Sequence, residues 1–562
     1  MSLNNWPRRP ILFKYNAMKK LWYTASLICL YAPFLFAQKY DRFWMGRTTN
    51  WGTGEETEAV MILMEIQKNG ISYDSFSIPE FEDIMFASRG MIAMCDARGE
   101  FQFYTNGNVV ASWDTHIMEG GKGFNEGASY DDFNPIMGDT VVNSAYNPYT
   151  YMVIPDAFEE KGYYMIHVFV REEGDALRFY GDKMQISKID MSANGGRGKV
   201  VYKNRYFDEE LMGVGFALIK HANGRDWWVV RRSQDGLRYK SILLQRDSVV
   251  QVVNSYISGL STQDFTYDDW FATSPSLLYA SADGSMLIDE FGMGTSMWLS
   301  FDRCSGGVSL IDTIYTGKMP LEVSGHVIYD RYYFLQFSPS GRYLYGGSWS
   351  NFAQWDLEAE DIEGSKVVLS GPPWGMDDDQ NVIEGWWGGL TAFSLGPDGR
   401  IYNLFRTMHS VIEHPDEKGA ACGLCLGAEH PPSCLGVPYY LFSGWYPNYR
   451  LGPLEGSGCD TLENWSPPGL PPEGEEYGVS VWPNPVVSGG SVSIEISLPD
   501  YSKGAANLEV VDVLGRVLSR HVFPPYAYMH ELSIEGWASG VYHLVLRDGR
   551  DVKAVERMVV IR

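Results

Sequence analysis

The stretch Phe337–Tyr345, FSPSGRYLY, decides the fold. An apolar, aromatic run stops at Ser338-Pro339, Gly341 supplies the backbone freedom of a tight turn, and Tyr343-Leu344-Tyr345 leaves it as a second β-prone run. Similar units recur at Asp96–Tyr104 (DARGEFQFY), Lys161–His167 (KGYYMIH), His221–Val230 (HANGRDWWVV), Ser281–Ile288 (SADGSMLI) and Gly396–Leu404 (GPDGRIYNL). Their turn glycines, Gly99, Gly162, Gly224, Gly284, Gly341 and Gly399, fall 57 to 63 residues apart. One hairpin signal per fixed period predicts an array of blades. The unit at Phe337 divides into four strands, Tyr332–Phe337, Tyr343–Gly347, Phe352–Leu357 and Lys366–Leu369, as a propeller blade requires. Six signals predict six blades, and the length of the body divided by the period allows seven.

Composition agrees with an all-β chain. The 562 residues include 59 Gly, 35 Tyr and 18 Trp, and no long amphipathic helical period is present. Residues 1–37 hold Arg8, Arg9, Lys14, Lys19 and Lys20 and no acid, so removing those five cations takes the formal charge from -25 to about -30. So acidic a body argues against nucleic-acid or anionic-lipid partners. Leu21–Ala37 is apolar, follows Lys19-Lys20 and ends at a small residue, which reads as a signal peptide over 1–37. The competing reading is a membrane anchor, disfavoured by Pro33 and by the cleavage junction at Ala37-Gln38. No later run is long and apolar enough for a transmembrane helix, so none is expected in the mature chain.

The propeller body is expected over 38–465. Ala59–Ile66 and Ile71–Ile78, split by Asn69-Gly70, read as a hairpin that closes the ring by pairing with the last blade near Ile401–Ile412. Residues 466–476, SPPGLPPEGEE, read as a linker. Residues 477–562 hold alternating short strands at Val479–Trp482, Val492–Ile496, Leu508–Val513, Val541–Arg547 and Val555–Ile561, a pattern suited to a small Ig-like β-sandwich.

Three stretches of this tail, VSVWPNPV (Val479–Val486), LEVVDVLGRVL (Leu508–Leu518) and GWASGVYHLVLRDG (Gly536–Gly549), precede a terminal RMVVIR. In order and spacing they resemble the type A C-terminal sorting domain of proteins exported by the Bacteroidetes type IX secretion system. The motif positions carried by the resemblance are Pro483, Asn484, Pro485, Gly515, Gly540 and Tyr542. The resemblance implies passage through the periplasm to the cell surface or medium, contact with the type IX machinery, and removal of the domain in many members. The body, at stretches such as MCDARGEFQFYTNG (Met94–Gly107), AQWDLEAEDIEGS (Ala353–Ser365) and NYRLGPLEGSGCDTL (Asn448–Leu462), is similar to large secreted propeller-like proteins of the same bacteria, which have no assigned activity.

Candidate site residues follow from export and chemistry. Cys29 leaves with the signal. Cys422, Cys425, Cys434 and Cys459 cluster in a Gly/Pro-rich segment, where disulfides are the default for an exported protein and a four-thiolate zinc site is the alternative. Cys95 and Cys304 are expected as buried thiols or one long-range bridge. Acids at Asp131-Asp132, Asp268-Asp269 and Asp377–Asp379, with Glu384, read as solvated loop residues, with Ca²⁺ as the alternative and no cofactor otherwise predicted. In Trp227-Trp228 and Trp386-Trp387 one ring of each pair packs in a core, and the other is a candidate for stacking on a sugar ring. The histidines are scattered, and no nucleophile elbow, zincin motif or phosphate loop is present. The sequence therefore points to a secreted or surface binding module for a protein or glycan. The alternative is an extracellular hydrolase or lyase with carboxylates in the propeller channel.

Overall fold

The structure, a computed structural model, describes residues 39–48, 60–67, 70–77, 84–86, 91–125, 141–143, 150–173, 178–234, 236–258, 277–291, 295–315, 321–323, 326–328, 332–347, 352–369, 393–406, 408–426, 441–442, 444–462, 477–498, 506–524, 527–549 and 551–561. The signal segment and the linker 466–476 lie outside these residues.

Each of the six turn signals opens an antiparallel sheet. Blade one is Ile92–Cys95, Phe101–Thr105 and Val110–Ser112. Blade two is Tyr151–Pro155, Gly162–Glu173, Arg178–Asp190 and Lys199–Asp208. Blade three is Phe216–Lys220, Trp227–Arg232, Arg238–Gln245 and Ser248–Tyr256. Blade four is Leu277–Ala280, Met286–Phe291, Thr295–Phe301 and Val308–Tyr315. Blade five is Tyr333–Phe337, Tyr343–Gly347, Phe352–Asp356 and Val367–Val368, within a residue or two of the sequence reading. Blade six is Phe393–Leu395, Ile401–Arg406, Met408–Ile412 and Leu424–Leu426, with Leu441–Phe442 added beside Ile401–Arg406. First strands lie side by side between blades one and two, three and four, four and five, and five and six, as in a β-propeller.

The six turns share one hydrogen bond. The N–H of Gly99, Gly162, Gly224, Gly284, Gly341 and Gly399 donates to the carbonyl three residues earlier, on Asp96, Glu159, His221, Ser281, Ser338 and Gly396. Gly341 has φ +78°, which a side chain would strain. Gly399 has the same φ, and a Cβ there would meet Pro524 of the tail at 2.3 Å. Gly162 differs: its φ is not positive, and it is instead pressed against Asp156 and Glu159.

Ring closure does not follow the expected route. The hairpin Val60–Gln67 and Gly70–Ser77 pairs with Phe43–Thr48, not with Ile401–Ile412. Residues 39–48 make the closure. Cys95 N–H donates to Tyr40 O, and the strand Phe43–Thr48 lies against both Ile92–Cys95 of blade one and Leu441–Phe442 of blade six. Trp44 stacks on Tyr446 (5.8 Å between centroids) and meets the edge of Tyr402 of blade six (5.5 Å). Ala93 N–H of blade one donates to Tyr446 Oη at 2.9 Å. Arg450 Nη1 bonds both oxygens of Asp41, at 2.7 and 2.9 Å, across 409 residues of sequence, and both side chains are buried.

The tail forms two sheets. One is Gly478–Trp482, Ser491–Ser497 and Met529–Ser533. The other runs Val486–Val487, Asp551–Ile561, Gly540–Asp548, Ala506–Asp512 and Val517–Val522 in spatial order. Between them lie Val492, Ile494, Leu508, Leu544, Leu546 and Met558, all buried. All five tail strands read from the sequence are present; Val486–Val487, Val517–Val522 and Met529–Ser533 are additional. The tail docks on the turn end of the ring: Tyr528 N–H donates to Pro397 O at 2.9 Å, Lys39 pairs with Glu495, and Arg450 lies over the Tyr528 ring at 5.5 Å.

Breaking a buried ion pair strands the remaining charge, at a cost of about 3–5 kcal/mol, whereas replacing both partners by apolar groups is close to neutral. Arg450→Met should therefore lower the urea midpoint sharply, and Asp41→Leu/Arg450→Met should recover most of the loss. An Arg450→Met variant as stable as the parent would show that the ring is held elsewhere.

Candidate functional site

The channel begins with the first strand of each blade. Met152, Leu218, Tyr279, Gln336 and Phe393 come from blades two to six and face a cavity of about 90 Å³. The cavity is small because the chain fills its own channel. After blade six, Trp445–Leu451 (WYPNYRL) runs inward. Trp445 packs on Tyr279 (4.5 Å between centroids), and Tyr449 Oη donates to Val153 O at 2.7 Å. Asn448 Nδ2 donates to Ala282 O at 2.6 Å, and Leu454 N–H donates to Ala222 O. Carbonyls of blade two's first strand and of the turns in blades three and four thus find donors on the segment from Asn448 to Leu454. Buried Lys220 donates to Tyr449 O; burial first, then the charges of Arg303 and Arg450, hold its ammonium well below the usual lysine range.

The acid lining this cavity is Asp41, which Arg450 binds through both oxygens. Glycoside hydrolysis of the usual kind uses a pair of carboxylates kept apart in protonation and open to substrate. An ion-paired single carboxylate under a tyrosine and tryptophan plug does not provide that.

A second constellation has the form of a nucleophile relay. His167 Nε2 lies 2.9 Å from Ser187 Oγ and Nδ1 lies 2.6 Å from Asn125 Oδ1. Ser187 and His167 are fully buried, and the serine oxygen also accepts Asn204 N–H at 3.0 Å. Its geometry is that of an anchor: it ties Asn125 (φ +55°) to blade two and fixes Asn204 (φ +57°) within that blade's last strand, both residues in the left-handed region.

Of the candidate stacking aromatics, Trp227 and Trp228 are both buried, which corrects the expectation that one ring is free. Trp227 meets Tyr449 edge-on at 6.1 Å, and Trp228 Nε1 donates to Arg303 O at 2.8 Å. Their strand is covered on both faces, so adjacent side chains enter different hydrophobic clusters. Trp386 and Trp387 lie outside the described residues, as do Asp131, Asp132, Asp268, Asp269, Asp377–Asp379 and Glu384. Among the described residues no group of three or more His, Cys, Asp or Glu side chains is placed to hold a metal ion.

The cysteines form disulfides as expected for an exported chain, but not all within their own segment. Cys459 bonds Cys304, 155 residues away, rather than a neighbour in its own segment. Cys425 is disulfide-bonded, Cys422 is a buried free thiol, and Cys434 lies outside the described residues. Burial raises the Cys422 thiol above its ordinary range. Two of the four candidate zinc ligands are thus consumed as disulfides. Cys95 is a buried thiol, so the long-range bridge exists but leaves it out.

In the tail, Asn484 Oδ1 accepts Val559 N–H at 2.9 Å and its Nδ2 donates to Arg557 O at 2.6 Å, so this amide acts as a strand neighbour for the final strand. Pro483 and Pro485 flank it. Tyr542 Oη donates to Ala538 O at 2.6 Å, two residues before Gly540. Gly515 lies at a turn with φ +77°.

Residues 480–561 match the family model of a secretion system C-terminal sorting domain. No curated protein matches the chain. Similar solved structures include the extracellular domain of a hybrid two-component system protein from B. thetaiotaomicron, at 10% identity and TM-score 0.32, covering 94% of this chain. This chain spans 59% of the length of that domain. Others are the Dos1 propeller (10% identity, TM-score 0.29, 61% of this chain and 72% of that one) and Hsv2 from Kluyveromyces lactis (12% identity, TM-score 0.26, 58% and 84%). The sorting tail marks the chain as one exported to the cell surface or extracellular space. Among the described residues no helix is long and apolar enough to cross a membrane.

The buried histidine gives a pH dependence. Burial pushes His167 down to about 3, whereas a histidine in the unfolded chain titrates near about 6.5. Its contribution to stability is whole above the unfolded value and lost as pH falls from there toward the folded one, because only the unfolded chain then takes the proton. Melting temperature should fall as pH drops from about 6.5 to about 4, and His167→Gln should flatten that fall while lowering stability at neutral pH by about 1–3 kcal/mol. An unchanged pH profile in His167→Gln would remove His167 from the acid response.

Proposed function

We propose that this type IX-exported chain is a surface-displayed binding module, whose propeller presents a rigid face to a protein or glycan partner outside the cell. The supporting observation is the filled channel. Trp445, Tyr446 and Tyr449 occupy the axis, and the acid that lines the remaining cavity is neutralised by Arg450. A propeller plugged in this way works as a scaffold, and its recognition surface lies on loops held by the blades. Passage through the periplasm and contact with the outer-membrane export machinery belong to the same reading. The runner-up, a hydrolase or lyase acting through channel carboxylates, would need Asp41 released from Arg450 and the plug displaced.

The discriminating experiment presents the purified full chain to a glycan array and a panel of cell-surface proteins, with product analysis on every glycan bound. The expected result is saturable binding with a Kd between about 1 mM and 1 μM and intact ligand afterwards. Release of shortened or unsaturated sugars, lost in Asp41→Asn, would favour the lytic reading instead.

A further inference from the structure

The tail presents an apolar tip that its own fold does not use. Strands Ala506–Asp512 and Val517–Val522 pair as a hairpin, and Val513–Arg516 forms its turn. The turn is tightly held. The Asp512 carboxylate accepts N–H from Leu514 and Arg516, both at 2.9 Å, and Arg516 Nε at 2.7 Å. Gly515 N–H donates to Asp512 O, and a Cβ on Gly515 would meet nothing within 4 Å. At the apex Val513 is 70% exposed and Leu514 75%. Scattered exposed apolar residues are ordinary; two neighbours fixed in solvent by a pinned turn are not explained by packing.

The tip also points away from the body. At the other end of the same strand, His521 and Val522 line a cleft of about 640 Å³ closed by Asp398, Arg400 and Glu413 of blade six. Five residues of extended chain set the tip roughly 17 Å from that cleft. The docked body therefore leaves the tip free, and the one formal cation there, Arg516, is already paired with Asp512.

We propose that Val513–Arg516 is the contact by which the sorting tail is read, with Val513 and Leu514 entering an apolar pocket on the export machinery. The proposal rests on the reading that the tail directs export. The partner is an apolar pocket rather than a charged groove because the tip offers two aliphatic side chains and a neutralised ion pair. The machinery is the occupant because the tip belongs to the matched sorting domain and the chain's own body grips the opposite end.

The test uses the full chain in an exporting host. Val513→Ser/Leu514→Ser should lower the surface-exposed fraction by about tenfold or more, the size of effect expected when a pair of interface anchors is lost. Val552→Ser/Val555→Ser, which alters a comparably apolar pair at 50% and 54% exposure on another strand, should export within about twofold of the parent. A photoreactive residue at position 514 should crosslink to a component of the export machinery, a readout that does not depend on the stability of the serine variant. Normal export of the Val513/Leu514 variant, an equal loss in the control pair, or crosslinking only to a second copy of this chain would overturn the proposal. Removing residues 477–562 separates the two readings. If that truncation still reaches the surface, the export reading itself fails; if it is retained while the serine variant is exported, only the tip is wrong.

Discussion

Everything in the body depends on closing a ring of sheets without leaving a bare edge. An unpaired edge exposes a row of backbone donors and acceptors and invites pairing with another chain. Many propellers solve this by completing the last blade with a strand from the other terminus. Here backbone bonds from Cys95 to Tyr40 and from Gly444 to Met91 are joined by aromatic and ionic contacts. Trp44 is held between Tyr446 and Tyr402, Ala93 is bonded to Tyr446, and Asp41 is bonded to Arg450. The residues that close the ring also fill its axis, so closure and channel plugging are one event. That coupling makes the channel an unpromising place for chemistry and gives the propeller a rigid centre.

The same end of the ring carries the glycine turns, and this explains how the tail is seated. Turn glycines let other segments approach closely. A Cβ on Gly224 would strike Pro453 at 2.5 Å, and one on Gly399 would strike Pro524. The plug and the sorting tail lie on this flattened face, with Lys39, Arg42 and Arg450 supplying positive charge beside Glu495 and the rings of Tyr528 and Trp482.

The blades were legible because their information is local. Turns that close on a glycine between β-prone runs state a hairpin within about ten residues, and five of the six glycines take the predicted positive φ. The tail was legible for a related reason, since its motif residues fix local features such as the Asn484 amide and the Gly515 turn. Contacts across the ring were not. The hairpin at Val60–Ser77 carries no mark of its partner, and Phe43–Thr48 is too short and mixed to announce itself as that partner. Cysteine spacing misled in the same way. Cys459 lies near Cys434 in sequence, but Arg303 bonds the carbonyl of Gly452 and so brings the Cys304 turn beside it. The Trp227-Trp228 pair failed as a surface signal because a blade strand is covered on both faces. What could have flagged the plug is the aromatic density of WYPNYRL after the final blade.

The pairing of Asp41 with Arg450 has a consequence in time. A chain that emerges N-terminus first presents Asp41 and Trp44 well before their partners, which follow only after some 400 further residues. Each blade can form as it appears, but the first must wait with one flank open until the last is complete. The surface on which the tail sits, built from Lys39, Arg42 and Arg450 together, does not exist before that moment. The tail, which emerges after the ring, therefore finds its seat only on a body that has finished folding, and the order of synthesis itself ties the address label to a completed cargo.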